Sequence, residues 1–222
     1  MLSRHEEKYI LNYRQYLLLR QRAAQVLTAD DHGDNGTYTI TSVYYDDLED
    51  TGLYEKLDGL ALHSKFRVRT YDYDTGFVRL ERKDKRGIMT KKISSVIDWQ
   101  KVPSLTEPGA WELAGGATRD LMQQMQAKAL QPVVGVRYVR DAFFHSGSDL
   151  RLTFDRNLEA IPPDVQALCD PYFCGIPALE PGSVIMEIKY GSYLPAFLRK
   201  MTRVQAPQLS FSKYALCREK MR

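Results

Sequence analysis

Several short segments of this chain alternate charged with apolar residues, and this pattern restricts the fold more than any other feature of the sequence. In an extended strand successive side chains point to opposite faces, so residues two apart share a face. Lys65, Arg67 and Arg69 therefore lie together while Phe66 and Val68 take the other side. Arg79, Glu81 and Lys83 oppose Val78 and Leu80, and Arg151, Thr153 and Asp155 oppose Leu152 and Phe154. The same parity recurs in Arg4, Glu6 and Lys8, and in Glu187 and Lys189, whose opposite face carries Met186, Ile188 and Tyr190.

A half-buried antiparallel strand normally turns one apolar face to the core and a mixed, mostly neutral face to water. These strands depart from that rule. With Arg140 and Lys213 included, their charged faces hold eleven basic and four acidic residues, an excess of seven positive charges against +3 for the whole chain. Two arrangements accommodate such faces. They can point to solvent, with cross-strand ion pairs. Alternatively, the strands close into a barrel with apolar faces outward against helices and charged faces lining a lumen. Desolvating that lumen empty would be very costly, so it must stay wet or hold a polyanion with a metal. Five or more strands sharing the pattern favour the barrel.

The remaining signals narrow the function classes. The 222 residues, 44% of them hydrophobic, suffice for a buried core, and no repeat or linker divides them, so residues 1–222 read as a single domain. A charge of only +3 argues against a polybasic protein that holds nucleic acid through bulk charge. No apolar run approaches a membrane span and the start, MLSRHEEKYIL, lacks the apolar region of a secretory signal, which predicts a cytoplasmic protein. Cys169, Cys174 and Cys217 read as reduced, buried thiols, since neither a disulfide framework nor a second Cys/His pair for zinc is present. Gly-rich phosphate loops are absent, which removes P-loop and Rossmann nucleotide sites.

Alternation predicts nine strands: 4–9, 38–45, 65–71, 77–83, 89–94, 133–144, 150–154, 184–190 and 208–214. Helices are expected from Asn12 to Leu27, with Asn12 and Gln15 forming a capping box, and over 48–57, 117–130 and 193–204. Asp72–Gly76 and Asp84–Gly87 read as hairpin turns, making the strands around them consecutive and antiparallel. Lys91 and Lys92 both follow the second turn, and parity alone leaves open which faces inward. The tyrosines near these strands, including Tyr44, Tyr45 and Tyr138, read mainly as packing between sheet and helices.

Taken in order, Arg4-His-Glu-Glu-Lys8-Tyr9, Ser42-Val-Tyr-Tyr-Asp46, Lys65-Phe-Arg-Val-Arg69, Leu80-Glu-Arg-Lys83, Tyr138-Val-Arg140, Arg151-Leu-Thr-Phe-Asp155, Met186-Glu-Ile-Lys189 and Ser212-Lys-Tyr214 resemble the VTC domain. That domain is the catalytic part of eukaryotic polyphosphate polymerases and belongs to the triphosphate tunnel metalloenzymes, or CYTH-like superfamily. The resemblance implies an α+β fold: an antiparallel eight-stranded β-barrel forming a triphosphate tunnel, with helices packed on the outside. It also implies that Lys8, Arg67, Arg69, Lys83, Arg140, Arg151, Lys189 and Lys213 contact phosphate oxygens. Glu187 resembles the family's metal-binding glutamate, and Glu6 and Glu81 stand where related enzymes use glutamates for Mn²⁺ or Mg²⁺ or to orient basic residues.

The chemistry agrees with this expectation. Cleaving a phosphoanhydride needs the phosphate chain held in line and its developing charge neutralised by Arg, Lys and a divalent cation. Arg supplies bidentate contacts and Lys point charges. The expected activity is a polyphosphate polymerase-like transferase that moves the terminal phosphoryl group of ATP onto polyphosphate. A triphosphatase of the same fold and a non-catalytic polyphosphate-binding module are the alternatives.

Overall fold

The computed structural model describes residues 5–87, 89–191 and 193–222, so the expected place of Arg4 on the first strand lies outside the described residues. The described elements follow in the order β1 (His5–Leu11), α1 (Tyr13–Val26), β2 (Thr28–Ala29), β3 (Thr37–Asp46), α2 (Thr51–Leu57), β4 (Leu62–Tyr71), β5 (Val78–Arg86) and β6 (Met89–Ile97). After these come α3 (Gly116–Ala127), β7 (Gln131–Phe144), β8 (Arg151–Ile161), β9 (Ile176–Pro177), β10 (Val184–Tyr190), α4 (Ala196–Thr202) and α5 (Lys213–Lys220), with three short 3-10 turns between strands.

This is an α+β fold built on one ten-stranded, mostly antiparallel sheet. Eight strands form its main path in the order β1-β10-β8-β7-β3-β4-β5-β6, while the two-residue strands β2 and β9 pair with β7 and β8. Among the described residues, however, the path ends at β1 and β6 without pairing them, so the sheet is not closed by hydrogen bonds into the expected barrel.

Contacts divide the chain into two compact units. The first comprises the chain up to Thr39, Tyr138–Leu158 and Leu179–Phe211; the second comprises Ile40–Arg137, Glu159–Ala178 and Ser212–Arg222. Each has its own core. In the first unit α1 buries Tyr16, Leu19 and Ala23, spaced at three and four residues, against Leu152 and Phe154 of β8 and Met186 and Ile188 of β10. In the second, Leu121, Met122 and Met125 of α3 cover Val43, Phe66, Val68, Val78 and Leu80 from three strands. In both, the strand faces packed against helices are the apolar ones that parity identifies.

Local signals explain most element ends. Asn12 Oδ1 accepts from the Gln15 backbone N–H at 2.9 Å, and Gln15 Oε1 accepts from the Asn12 N–H at 3.0 Å, the reciprocal capping box that starts α1. Asp72 and Tyr73 take left-handed φ values of 47° and 62°, which reverses the chain between β4 and β5.

Elsewhere the elements differ from the sequence reading. The hairpin between β5 and β6 turns later than Asp84–Gly87, because Asp84, Lys85 and Arg86 still pair with Lys91, Thr90 and Met89. Strand β8 extends seven residues beyond the expected Phe154, since Asn157 at φ 53° interrupts the alternation in the middle of a continuing strand. The expected strand 208–214 is not formed. Gln208 makes one bridge to Tyr9, and Ser212 then caps α5, accepting from the Ala215 N–H, so that Lys213 begins a helix. Helix α4 starts only after Pro195, later than residue 193. The three cysteines are free as expected, but only Cys217 is buried and Cys174 is exposed. No described helix is long and apolar enough to cross a membrane.

Asn12→Ala removes the side-chain half of the α1 cap. We expect it to lower unfolding free energy by about 1 kcal/mol, read as a shifted denaturant midpoint at unchanged slope.

Candidate functional site

The charged sides of the strands are brought together by register, and each unit holds its own group. In the first unit, β1 pairs with β10 and β10 with β8, placing Glu6 opposite Lys189 and Lys189 opposite Arg151; the next row is Lys8, Glu187 and Thr153. The ammonium of Lys189 lies 3.3 Å from Glu6 Oε1 and 3.2 Å from Glu187 Oε2. Lys8 Nζ is 3.7 Å from Glu6 Oε1 and 3.9 Å from Glu187 Oε1, and also donates to the Phe211 carbonyl at 3.4 Å. Two carboxylates thus share the same two lysines.

Arg140 and Asp155 form a two-pronged pair, with Nε donating to Oδ1 at 2.7 Å and Nη2 to Oδ2 at 2.8 Å. Burial works against the charge on Arg140, yet Asp155, which is 0% exposed, outweighs it and keeps the guanidinium charged well above its ordinary range. Arg151 is less committed to the group. Its Nη2 donates to Asp30 Oδ2 at 2.8 Å and to the Tyr38 hydroxyl at 3.3 Å, and its side chain is half exposed.

In the second unit the register sets Tyr44, Arg67, Glu81 and Ser94 in one row across β3 to β6, with Ser42, Arg69 and Arg79 in the next and Lys65, Lys83 and Lys92 in a third. Arg67 donates from Nε to Glu81 Oε2 at 2.7 Å, its Nη2 lies 2.6 Å from the same oxygen, and its Nη1 donates to the Tyr44 hydroxyl at 2.9 Å. Arg69 donates to Ser42 Oγ at 2.9 Å. Lys92 pairs with the other oxygen of Glu81. The open choice is therefore settled by register: Lys92 stands opposite Lys83, while Lys91 stands opposite Asp84 on the other face.

Lys213 joins this group from a helix terminus. Tyr214 stacks on Tyr44 with ring centres 5.0 Å apart, and Lys213 is close enough to act electrostatically on the Tyr44 phenol. Burial raises the Tyr44 pKa, but the positive charges of Arg67, Arg69 and Lys213 exceed that effect and lower it on balance. Glu81, 1% exposed, shows the same contest. Burial favours its neutral form, but Arg67, Arg69 and Lys92 hold the carboxylate charged and draw its pKa down to about 2.

The two groups differ in balance. In the second unit Arg67, Arg69 and Lys92 act directly on Glu81, Lys65, Arg79 and Lys83 stand in neighbouring rows, and Lys213 acts on Tyr44, while Asp46 at the end of β3 is buried and accepts from the Tyr214 hydroxyl. In the first, Lys8, Arg140, Arg151 and Lys189 meet Glu6, Asp155 and Glu187, and Arg151 has Asp30 as well. Buried polar atoms without a protein hydrogen-bond partner lie on both faces, Arg79 Nε and Ser94 Oγ in the second unit and Thr153 Oγ1 in the first.

Arg137, on the other parity from Arg140, donates from Nε to Glu159 Oε2 at 2.8 Å and from Nη2 to the Phe173 carbonyl at 2.8 Å, a structural anchor apart from the charged faces. From the sequence Tyr44 reads as packing and Lys92 is left open against Lys91; the structure sets both beside Arg67 and Glu81. Tyr44 shares a face with Arg67 only through the β3–β4 register, and Lys92 through the exact length of the β5–β6 turn.

A family model for the VTC domain matches residues 3–222. The chain belongs to the VTC domain family. Among solved structures this VTC domain resembles the PH1819 protein of Pyrococcus horikoshii OT3, at 13% identity and a TM-score of 0.52, covering 98% of this chain and 99% of that one. It also resembles a candidate adenylate cyclase from Bacillus halodurans, at 12% identity and a TM-score of 0.51, covering 94% and 96%. At such identity these likenesses concern the fold. A search of curated proteins by sequence gave no match.

Among the described residues no three His, Cys, Asp or Glu side chains gather into a group that could hold a metal ion by themselves. Glu6 and Glu187, each paired with Lys8 and Lys189, are the two carboxylates of the first unit's group that could contribute to one. Mg²⁺ and Mn²⁺ commonly use such carboxylates, completing their shell with water and phosphate oxygens.

Because the Glu81 pKa is lowered on folding from 4.5 to about 2, its contribution to stability is complete above about pH 4.5 and is lost as pH falls through about 2. Wild-type protein should therefore lose stability over that window in acid titration of its denaturant midpoint. Glu81→Gln should flatten this part of the curve.

Proposed function

We propose that this VTC domain is a metal-dependent polyphosphate polymerase-like phosphotransferase. It takes the terminal phosphoryl group of ATP and adds it to the end of a polyphosphate chain. The observation that carries the reading is the second unit's set of neighbouring rows, in which Arg67, Arg69 and Lys92 hold the buried Glu81 and Lys83 and Lys213 stand beside them. That excess of positive charge is matched by a polyanion and by few other ligands. The reading keeps the closed eight-stranded barrel expected from the sequence, with the charged side of the sheet as its lumen.

In this reaction a terminal phosphate oxygen of the acceptor chain attacks the γ-phosphorus of ATP, the bond from that phosphorus to the β–γ bridging oxygen breaks, and ADP leaves. The acceptor oxygen is already deprotonated, so no general base is required. Arg67, held by Glu81 and Tyr44, and Arg69, held by Ser42, are fixed in orientation before the ligand arrives. Their guanidinium groups grip non-bridging oxygens and keep the phosphates in line. Lys83, Lys92 and Lys213 add point charges along the chain, and Lys8, Lys189, Arg140 and Arg151 flank the carboxylates. Glu187, with Glu6, would hold Mn²⁺ or Mg²⁺, which supplies neutralisation of charge on the transferred group. Glu81 acts through Arg67 as a positioning residue.

The test is incubation with ATP and Mn²⁺, with and without a short polyphosphate primer, and resolution of products by chain length beside a free-phosphate assay. Chains that lengthen in the wild type and vanish in Glu187→Gln are expected. Free phosphate alone would make the protein a triphosphatase of this fold, and tight polyphosphate binding with neither product would make it a binding module. Arg67→Ala or Arg69→Ala should lower turnover at least tenfold, a loss of about 1.4 kcal/mol or more of transition-state stabilisation. Arg137→Ala should leave turnover within about twofold once folding is verified. A greater loss there than for Arg140→Ala would place the phosphate on the opposite face of β7.

A further inference from the structure

The first unit carries a second surface, formed by the other side of the strands that hold Glu6, Lys8, Glu187 and Lys189. Glu7 and Tyr9 of β1 and Ile188 and Tyr190 of β10 have the opposite parity, and they floor an open groove of about 900 Å³ walled by Tyr193, Leu194 and helix α4. This is within the range of small-molecule sites. Arg199, Lys200 and Arg203 line it; all three are exposed, and no ion pair is recorded for them among the described residues. Three cations therefore face one carboxylate.

That carboxylate is already engaged. Tyr9 donates to Glu7 Oε2 at 2.7 Å and Tyr190 to Glu7 Oε1 at 2.6 Å, so both oxygens are bonded and both phenol rings are pinned. His5 stacks on Tyr190 with ring centres 5.1 Å apart and fixes it further. The floor is thus a rigid aromatic surface whose negative charge is screened by hydroxyl groups. At its side Tyr193 stands 71% exposed, an aromatic ring at the wall of a basic groove.

We infer that this groove binds a nucleoside phosphate, the base lying against the tyrosines and the phosphate held by Arg199, Lys200 and Arg203. The argument is charge and shape together. An acidic ligand is needed to match the three cations, and a planar ring gains most from preset aromatic faces. A free phosphate would leave the tyrosine floor without a partner, and an uncharged ring would leave the arginines without one. Because the floor residues and the carboxylate–lysine group project from opposite faces of β1 and β10, this surface is separate from the phosphoryl-transfer site proposed above and does not depend on that reading.

Isothermal titration with AMP in the presence of EDTA tests it, since AMP lacks a triphosphate and EDTA removes the divalent cation that the other site would use. The wild type should bind one AMP per chain. Arg199→Glu with Arg203→Glu should weaken binding at least tenfold, as should Tyr193→Ala, while Arg67→Ala stays within twofold of wild type; circular dichroism verifies the fold of each variant. Adenosine and inorganic phosphate alone should each bind at least tenfold more weakly than AMP. No AMP binding by the wild type overturns the inference, as does unchanged affinity in the double variant. Loss in Arg67→Ala would move the binding to the phosphate-holding face and overturn it, and equal affinity for inorganic phosphate would remove the base from the contact. Binding of polyglutamate without AMP would assign the groove to an acidic protein segment instead.

Discussion

A carboxylate removed from water must find positive charge or give up its own, and the placement of the basic residues in this protein follows from that requirement. Glu81, Asp155 and Glu187 are all buried, and each meets a cation across strands, Glu81 with Arg67 and Lys92, Asp155 with Arg140 and Glu187 with Lys8, while Lys189 reaches Glu187 from the same strand. Such pairs contribute little net stability compared with an apolar core of the same volume, because desolvation offsets much of the attraction. Their value lies in orientation. A guanidinium held by a buried carboxylate presents its remaining N–H groups in a fixed direction, which is what recognition of a phosphate requires.

The same requirement separates the two units chemically. Around Glu6 and Glu187 carboxylates and cations nearly balance. Around Glu81 three cations, Arg67, Arg69 and Lys92, act on one buried carboxylate, with further basic residues in the neighbouring rows. Helices cover the opposite faces in both units, α1 in the first and α3 in the second, and the separate apolar cores keep the strands in the register on which the charged rows depend.

Much of the fold was legible because period two is a strong signal wherever one face is apolar. Eight of the nine expected strands and the capping box of α1 are present, and their inner faces are the ones alternation assigns. The failures have local causes. Residues 208–214 alternate over too short a span to outweigh a Ser cap at 212, so Lys213 reaches its neighbours from a helix terminus. Asn157 in the left-handed region breaks the pattern of β8 without ending the strand, because Asn tolerates that conformation at low cost.

The amino-acid order by itself determined which side chains share a strand face, since alternation is a property of extended backbone and needs no neighbour. It also determined, through its ordered motifs, membership of the VTC domain family. Only the tertiary structure decided which of those faces meet and in what register: that Lys92 and not Lys91 joins Glu81, that Tyr44 accepts from Arg67, and that Arg151 turns to Asp30. The physical reason is that register is fixed by turn length and by packing of the apolar face against helices far away in sequence. A shift of one residue would exchange the two faces of a strand, and no local pattern carries that information.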